Sequence, residues 1–211
     1  KITEDIQKEG VTFFLGHRKE HIEESVDLVI YTIAVSDDNE ELMEACKRGL
    51  RVLSYPEALG EITKEYTTIA VCGTHGKTTT TAMIASMLKA CGKNPTVIVG
   101  SLLSDGGSNF VQGDSEYLVV EACEYRRSFL NLHPKFVVVT NIDADHLDYY
   151  KDLDDIKSAF QEFVDKLPEN GKIVSHEDVE FLGNHIHYTT EGLDRSKIAL
   201  SVLGAHNKEN A

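Results

Sequence analysis

The sequence predicts an α/β fold in which a mostly parallel sheet is flanked by helices. Two observations support this prediction. Short runs rich in β-branched residues alternate with helical patterns along the chain, and this order at these lengths is typical of parallel strands joined by crossover helices. A glycine-rich turn also lies directly between a buried strand and an amphipathic helix, at residues 73–76. Such a junction is where many α/β proteins bind phosphate.

The first part of the chain, residues 1–66, carries the pattern of a small parallel layer. Apolar runs predict strands at residues 11–15, 27–35 and 51–54. Before the last of these runs, residues 39–48 have a helical pattern that Gly49 ends. This order predicts a partial Rossmann-like domain, and we place its end between Glu61 and Tyr66.

A second series of elements fills residues 67–211, which we predict to be a P-loop-type central domain. Its predicted strands cover residues 68–72, 96–99, 117–120, 136–140 and 172–174. Its predicted helices cover residues 77–91 and 154–167, and Gly92 ends the first of them.

Charge and composition exclude several classes of function. The chain has 21 Lys and Arg against 35 Asp and Glu, a formal charge of -14, so we expect no broad binding to nucleic acid or to an anionic membrane. Any anion therefore needs a local site. The four cysteines form no C-x-x-C pair and no apolar run is long enough for a membrane helix, so we expect a cytoplasmic protein. Since the chain begins with Lys1 rather than Met, we also expect it to be part of a longer protein.

The strongest signal is a phosphate-binding loop. It consists of Gly73, Thr74, His75, Gly76, Lys77, Thr78 and Thr79. The glycines let backbone N–H groups turn toward an anion at a helix N-terminus, Lys77 can reach the β- and γ-phosphates, and Thr78 offers a hydroxyl to Mg²⁺. The loop departs from the full G-x-x-x-x-G-K-[ST] pattern because Val71 stands where the first glycine would be.

Acidic side chains follow the next predicted strand. The run 117–120 is followed by Glu121 and, three residues later, by Glu124. A carboxylate at the carboxyl end of a parallel strand can hold the Mg²⁺ that bridges nucleotide phosphates. The alternative is a solvated glutamate at a strand end, but the phosphate loop upstream favours the metal site.

A third polar cluster follows the strand at 136–140. It contains Asn141 and His146, together with Asp143, Asp145 and Asp148. These side chains could coordinate a second Mg²⁺ or position a substrate carboxylate, and His146 is our candidate metal ligand. A polar loop in which Asp145 caps a turn is the alternative.

Two pairs of residues remain open between two interpretations. Arg126 and Arg127 could bind a substrate carboxylate or phosphate, or they could be exposed arginines that balance an acidic chain. Asn207 and Asn210 could contact adenine, or one of them could cap a helix.

Taken together and in order, these motifs resemble the Mur ligases. The resemblance rests on the segments 74–83, 121–124, 140–148 and 206–211 and covers nearly all of residues 67–211; residues 31–60 also look like the end of the first domain of that family. It implies ATP-dependent amide-bond formation through an acyl phosphate in peptidoglycan precursor synthesis. A UDP-substrate-binding domain would come first, and a third domain would follow beyond Ala211.

The resemblance also implies roles for particular residues. Lys77 would stabilise the transferring phosphoryl group, Thr78 and Glu121 would hold Mg²⁺, and His146 would serve a second metal or the substrate. Asn207 and Asn210 would face adenine. The implied cofactors are ATP and Mg²⁺, the implied substrates are UDP-N-acetylmuramate and L-alanine, and the oligomeric state is left open.

Two departures narrow the resemblance. Cys123 replaces an acidic residue of the motif, which leaves either Glu121 or Glu124 to complete the metal shell. Phe160 stands where several sister ligases carry a lysine that becomes carbamylated. This favours the branches that add alanine or, during cell-wall recycling, a tripeptide over the later-acting ligases. We expect alanine addition; the alternatives are the tripeptide-adding branch and a non-catalytic nucleotide-binding module.

Overall fold

The computed structural model describes residues 7–8, 10–100, 108–176, 179 and 185–188. The chain divides into two compact units, Lys1–Ala58 and Leu59–Ala211. The predicted domain limits, 1–66 and 67–211, differ slightly from this division and stay a prediction. Among the described helices, none is long and apolar enough to cross a membrane.

The first unit contains a two-stranded parallel sheet. Strand β1 (Leu28–Tyr31) pairs with β2 (Arg51–Ser54), and helix α1 (Glu40–Lys47) connects them. The side chain of Asn39 accepts hydrogen bonds from the backbone N–H groups of Glu41 and Leu42 at the start of α1, as an N-cap does. The helix and β2 are confirmed, and the predicted strand at 27–35 is shorter than expected.

The prediction of a strand at residues 11–15 is wrong. This segment forms no strand and pairs with none among the described residues of the unit, and Leu15 is 87% exposed. Apolar composition marks a segment that could be buried, but a strand also needs a neighbour to complete its hydrogen-bond ladder.

Helix α2 (Tyr55–Thr63) was not predicted, although its start carries a recognisable signal. The N–H of Ser54 donates to the carboxylate of Glu57 at 2.7 Å, and the N–H of Glu57 donates to the hydroxyl of Ser54 at 3.4 Å. Ser54 and Glu57 therefore form a capping box, and Pro56 is compatible with a first helical turn.

The second unit contains a seven-stranded sheet. Its strands are β3 (Thr67–Cys72), β4 (Thr96–Ile98), β5 (Phe110–Val111), β6 (Tyr117–Glu121), β7 (Phe136–Val139), β8 (Lys172–His176) and β9 (His185–Tyr188). They lie in the order β5-β4-β6-β3-β7-β8-β9, and all neighbours are parallel except β5, which is antiparallel to β4. The predicted α/β fold with a mostly parallel sheet is confirmed.

Two helices of this unit connect strands of the sheet. Helix α3 (Lys77–Ala90) follows β3, and helix α4 (Leu153–Val164) lies between β7 and β8. The apolar face of α4 is buried, and Phe129 stacks on Phe163 with ring centroids 4.6 Å apart. Phe160 is fully buried in the same cluster. Aromatic packing therefore holds the segment after β6, which contains Phe129, against α4.

All four cysteines, Cys46, Cys72, Cys91 and Cys123, are free thiols. Only Cys72, at the end of β3, is buried. Burial raises the pKa of its thiol far above the usual range, so Cys72 is an inert packing residue.

Helix α4 should depend on its N-cap. The carboxylate of Asp152 accepts a hydrogen bond of 2.9 Å from the N–H of Asp155, so Asp152→Ala should lower the free energy of unfolding by about 1 kcal/mol, measured by urea denaturation. Asp152→Asn keeps the acceptor and should lose less. The control is Asp165→Ala at the other end of the helix, where a negative charge opposes the helix dipole. An equal loss in Asp152→Ala and Asp165→Ala would contradict the prediction.

Candidate phosphate-binding site

Three adjacent strands of the second unit end at the same edge of the sheet. In the register of the sheet, Val71 of β3 lies opposite Glu121 of β6, and Cys72 lies opposite Val139 of β7. The glycine-rich loop, Glu121 and the polar cluster after β7 therefore begin side by side. This is where α/β proteins bind their ligands.

The glycine-rich loop has a backbone that only glycine suits. Gly73 has φ +129° and Gly76 has φ +81°. A Cβ atom on Gly73 would lie 2.1 Å from Oγ1 of Thr140 and 2.8 Å from the carbonyl oxygen of Asn141. Gly73 is therefore required both for its conformation and for the close approach of the segment after β7.

Residues after β7 hold this loop in place. The side-chain amide of Asn141 accepts from the N–H of His75 at 2.9 Å and donates to the carbonyl of the same residue at 3.0 Å. The hydroxyl of Thr140 donates to that carbonyl at 2.6 Å, and the hydroxyl of Thr74 accepts from the N–H of Asp143 at 2.8 Å. Asn141, which we predicted as a substrate residue, thus uses both ends of its amide to shape the loop.

Lys77 is the central cation of the site. Its ammonium donates to the carbonyls of Gly73 and Thr74, at 2.6 and 3.1 Å, and to Oε1 of Glu124 at 2.9 Å. The side chains of Lys77 and Glu124 are only 15% and 4% exposed. The sequence named Glu124 only as an alternative to Glu121, but the structure places it in direct contact with Lys77. The sequence signal for Glu124 was an acid three residues after Glu121, the last residue of β6.

Thr78 and Glu121 form a second contact beside Lys77. The hydroxyl of Thr78 donates to Oε2 of Glu121 at 2.8 Å, and the N–H of Gly100 donates to the same oxygen at 3.0 Å. Thr78 and Thr79 lie in the first turn of α3, where backbone N–H groups lack partners within the helix and attract anions. The two predicted magnesium ligands, Thr78 and Glu121, thus lie in direct contact, and their role as metal ligands stays a prediction.

His146 lies near Glu124 rather than near the first pair. Its Nε2 is 3.7 Å from Oε1 of Glu124 and 4.0 Å from the carboxylate of Asp145. His146 has φ +52°, and its ring lies 4.9 Å from that of Tyr125. The predicted metal ligands therefore fall into two groups, with Thr78 and Glu121 in one and His146, beside Glu124, in the other.

The donor set fits divalent magnesium. Mg²⁺ prefers oxygen ligands and takes only one or two from a protein when phosphates and water supply the rest, as the hydroxyl of Thr78 and the carboxylate of Glu121 could. Oε2 of Glu124 is buried and has no hydrogen-bond partner within the described residues, so a cation there would satisfy it. Within the described segments, no group of three or more His, Cys, Asp or Glu side chains could hold a metal ion by itself.

The other predicted site residues are placed differently. Arg127 forms ion pairs of 2.8 Å with Asp155 and with Glu162 of α4, whereas Arg126 is exposed and lies over the ring of Tyr125. Substrate binding by either arginine stays a prediction. Asn207 and Asn210 lie outside the described residues, so their contact with adenine also stays a prediction.

A parallel sheet whose glycine-rich loop leads into a helix, with a lysine and two acidic groups at the loop, defines a phosphate-loop α/β protein. The sequence profile described as "Mur ligase middle domain" matches residues 71–190, and the profile described as "Mur ligase family, catalytic domain" matches residues 1–67. The chain belongs to the Mur ligase family, which confirms the resemblance seen in its motifs.

Individual relatives agree with this assignment. UDP-N-acetylmuramate–L-alanine ligase from Caldicellulosiruptor saccharolyticus is 49% identical over 84% of this chain and 39% of its own length. The crystal structure of the same-named ligase from Thermotoga maritima aligns with a TM-score of 0.72 at 31% identity, over 82% of this chain and 40% of that one. A murein peptide ligase from Psychrobacter arcticus aligns with a TM-score of 0.71 at 26% identity, over 83% of this chain and 41% of that one. The chain spans about two-fifths of the length of the curated relatives it matches.

Proposed function

We propose that this chain is the ATP-binding part of a cytoplasmic ligase that joins L-alanine to UDP-N-acetylmuramate. The name of the relative that is 49% identical supports the choice of substrates. The observation that carries the proposal is the ammonium of Lys77, which lies inside the loop 2.9 Å from Glu124 and beside the Thr78–Glu121 pair. Phosphoryl transfer depends mainly on positioning and charge stabilisation, and this site offers both.

The reaction would proceed in two steps. A carboxylate oxygen of the muramyl group attacks the γ-phosphorus of ATP while the bond to ADP breaks. The neutral amino group of L-alanine then attacks the acyl carbon, phosphate leaves, and the nitrogen loses one proton to give the amide. In both steps negative charge builds up on a leaving phosphate group, ADP in the first and inorganic phosphate in the second, and a fixed cation stabilises this charge.

The residues of the loop would bind and orient the nucleotide. Lys77 would exchange its hydrogen bonds to the carbonyls of Gly73 and Thr74 for hydrogen bonds to phosphate oxygens. Glu124 would keep the ammonium of Lys77 in place. Thr78 and Glu121 would hold Mg²⁺, which supplies charge neutralisation at the phosphates. His146, 3.7 Å from Glu124, would contact a second metal ion or the acyl substrate.

The proposal is tested on the complete product of the gene that encodes this chain. Phosphate release is followed with ATP, Mg²⁺ and UDP-N-acetylmuramate against a panel of amino acids. We expect release to depend on L-alanine. No response to L-alanine, together with activity on another amine, would overturn the choice of substrate.

A second candidate is a ligase that adds a preformed peptide. The likeness to the murein peptide ligase from Psychrobacter arcticus, at 26% identity, supports this candidate. The same assay, extended with a muropeptide-type tripeptide, separates the two candidates. A protein that binds ATP but releases no phosphate with either amine would instead be a nucleotide-binding module.

The metal-binding role of Thr78 and Glu121 leads to a prediction about ATP affinity. Thr78→Ala and Glu121→Gln should each weaken ATP binding about tenfold in the presence of Mg²⁺ and much less in EDTA, because the first change removes an oxygen ligand of the metal and the second removes the negative charge of another. Isothermal titration calorimetry measures both conditions. Ser86→Ala is the control, since it removes an exposed hydroxyl from the same helix. If the two variants lost the same affinity with and without Mg²⁺, these residues would not act through the metal.

A further inference from the structure

The turn that follows β6 contains two neighbouring residues in a strained conformation. Arg126 has φ 51° and ψ 29°, and Arg127 has φ 56° and ψ 25°. Left-handed backbone costs a residue with a Cβ atom about 1–2 kcal/mol. Such strain persists only where the surroundings impose it, and it is concentrated at functional sites. Contacts from outside the turn must therefore stabilise it.

The side chain of Arg127 supplies these contacts. Its Nη2 is 2.8 Å from the carboxylate of Asp155, and its Nη1 is 2.8 Å from that of Glu162. These two acids lie two turns apart on α4, so one guanidinium bridges them. The guanidinium carbon also lies 5.9 Å from the centre of the ring of Tyr150. A planar fork with two terminal donors suits this bridge, whereas a lysine would reach one carboxylate at a time.

The anchored turn fixes the backbone of Glu124. The carbonyl of Glu124 accepts a hydrogen bond of 2.9 Å from the N–H of Arg127 and one of 2.5 Å from the hydroxyl of Tyr150. Burial raises the pKa of Tyr150 to about 12, so this hydroxyl stays protonated and can donate. The side chain of the same glutamate contacts the ammonium of Lys77. A continuous series of contacts thus runs from α4 through Arg127 to the phosphate loop.

We propose that Arg127 is a positioning residue that anchors the turn after β6 to α4 and thereby sets the place of Glu124 against Lys77. This inference rests on the proposed function of the same site. It replaces the substrate contact that the sequence suggested, because both terminal nitrogens of Arg127 are occupied by carboxylates of the protein. An arginine that merely balanced the acidic charge of the chain would need neither the bridge nor the strained turn.

The test compares two adjacent arginines. Arg127→Ala removes the bridge, whereas Arg126→Ala removes the same charge from the same left-handed conformation. Within the described residues Arg126 makes no ion pair and only lies over the ring of Tyr125. Two properties of the complete gene product are measured: its affinity for Mg²⁺-ATP, and the NMR cross-peak of the Lys77 Cε methylene, assigned with Lys77→Arg.

We expect Arg127→Ala to weaken ATP binding about tenfold and to shift the Lys77 cross-peak in the nucleotide-free protein. Arg126→Ala should change the affinity less than twofold and leave the cross-peak in place. A purely structural role would lower the melting temperature but would not move the cross-peak of the folded protein. Equal affinities and an unmoved cross-peak in the two variants would overturn the proposal.

A second variant covers the case in which Arg127→Ala does not fold. Glu162→Gln weakens only the ion pair between Arg127 and Glu162. Because the side chain of Glu162 is 58% exposed, folding should be preserved. It should shift the Lys77 cross-peak in an intermediate amount, and an unmoved cross-peak would again overturn the positioning role. If the unaltered chain failed to bind ATP at all, the proposed function would fail, whereas the cross-peak would still report on Arg127.

Discussion

Replacing Lys77 with alanine should reduce ATP-dependent turnover by about a thousandfold and weaken ATP binding at least tenfold. Lys77 is the only cation within the described residues that reaches both the loop carbonyls and Glu124. Loss of a fixed charge at a phosphoryl-transfer site removes stabilisation that water cannot replace. Turnover is measured on the complete gene product and affinity by calorimetry.

The same change should also destabilise the folded chain. Glu124 is 4% exposed, and removing one partner of a buried ion pair leaves an uncompensated charge that costs about 3–5 kcal/mol. The double variant Lys77→Ala/Glu124→Gln should recover most of this stability, since a neutral amide replaces the buried charge. It should not recover turnover. Denaturation and activity together therefore separate the two roles of Lys77.

Lys89→Ala is the matched control for both measurements, since Lys89 is exposed in the last turn of the same helix. We expect it to change stability by less than about 0.5 kcal/mol, as most surface substitutions do. If the ATP affinities of Lys77→Ala and Lys89→Ala differed by less than threefold, the assignment of the phosphate loop would be contradicted.

Local patterns were the part of the site that the sequence could predict. The strand, the glycines and Lys77 are contiguous, so their order alone predicts a loop at a helix N-terminus. The approach of Glu121 to Thr78 could also be anticipated, because the carboxyl ends of parallel strands meet at one edge of the sheet. These predictions need only the strand order and the side-chain types.

The partners of Glu124, Asn141 and Arg127 could not be predicted in the same way. Glu124 lies just before a turn in which Arg126 and Arg127 adopt a left-handed backbone, and arginine has no local preference for that conformation. Asn141 and Arg127 looked like ligand-binding groups because an amide and a guanidinium suit carboxylates and phosphates. Only the tertiary structure shows that backbone and carboxylate groups of the protein occupy them.

Gly73→Ala should be the single substitution in the loop that weakens ATP binding most. The new methyl group would meet Oγ1 of Thr140 at 2.1 Å and the carbonyl oxygen of Asn141 at 2.8 Å, in a residue whose φ is +129°. Backbone strain and overpacking each cost about 1–3 kcal/mol. We therefore expect a loss of about 3 kcal/mol or more in the free energy of unfolding. ATP affinity should fall more than a hundredfold, because the loop cannot keep its shape.

Gly92→Ala separates the two causes of this loss. Gly92 also has a positive φ, +73°, but a Cβ atom there would meet nothing within 4 Å. Gly92→Ala should therefore lower the free energy of unfolding only by the cost of the left-handed backbone, about 1–2 kcal/mol. It should bind ATP normally. In Gly73→Ala/Thr140→Ala the contact with Asn141 and the unfavourable φ remain, so ATP binding should stay weak. Normal ATP binding by Gly73→Ala would mean that the loop adapts to a side chain, and that the close approach of the segment after β7 does not define the phosphate site.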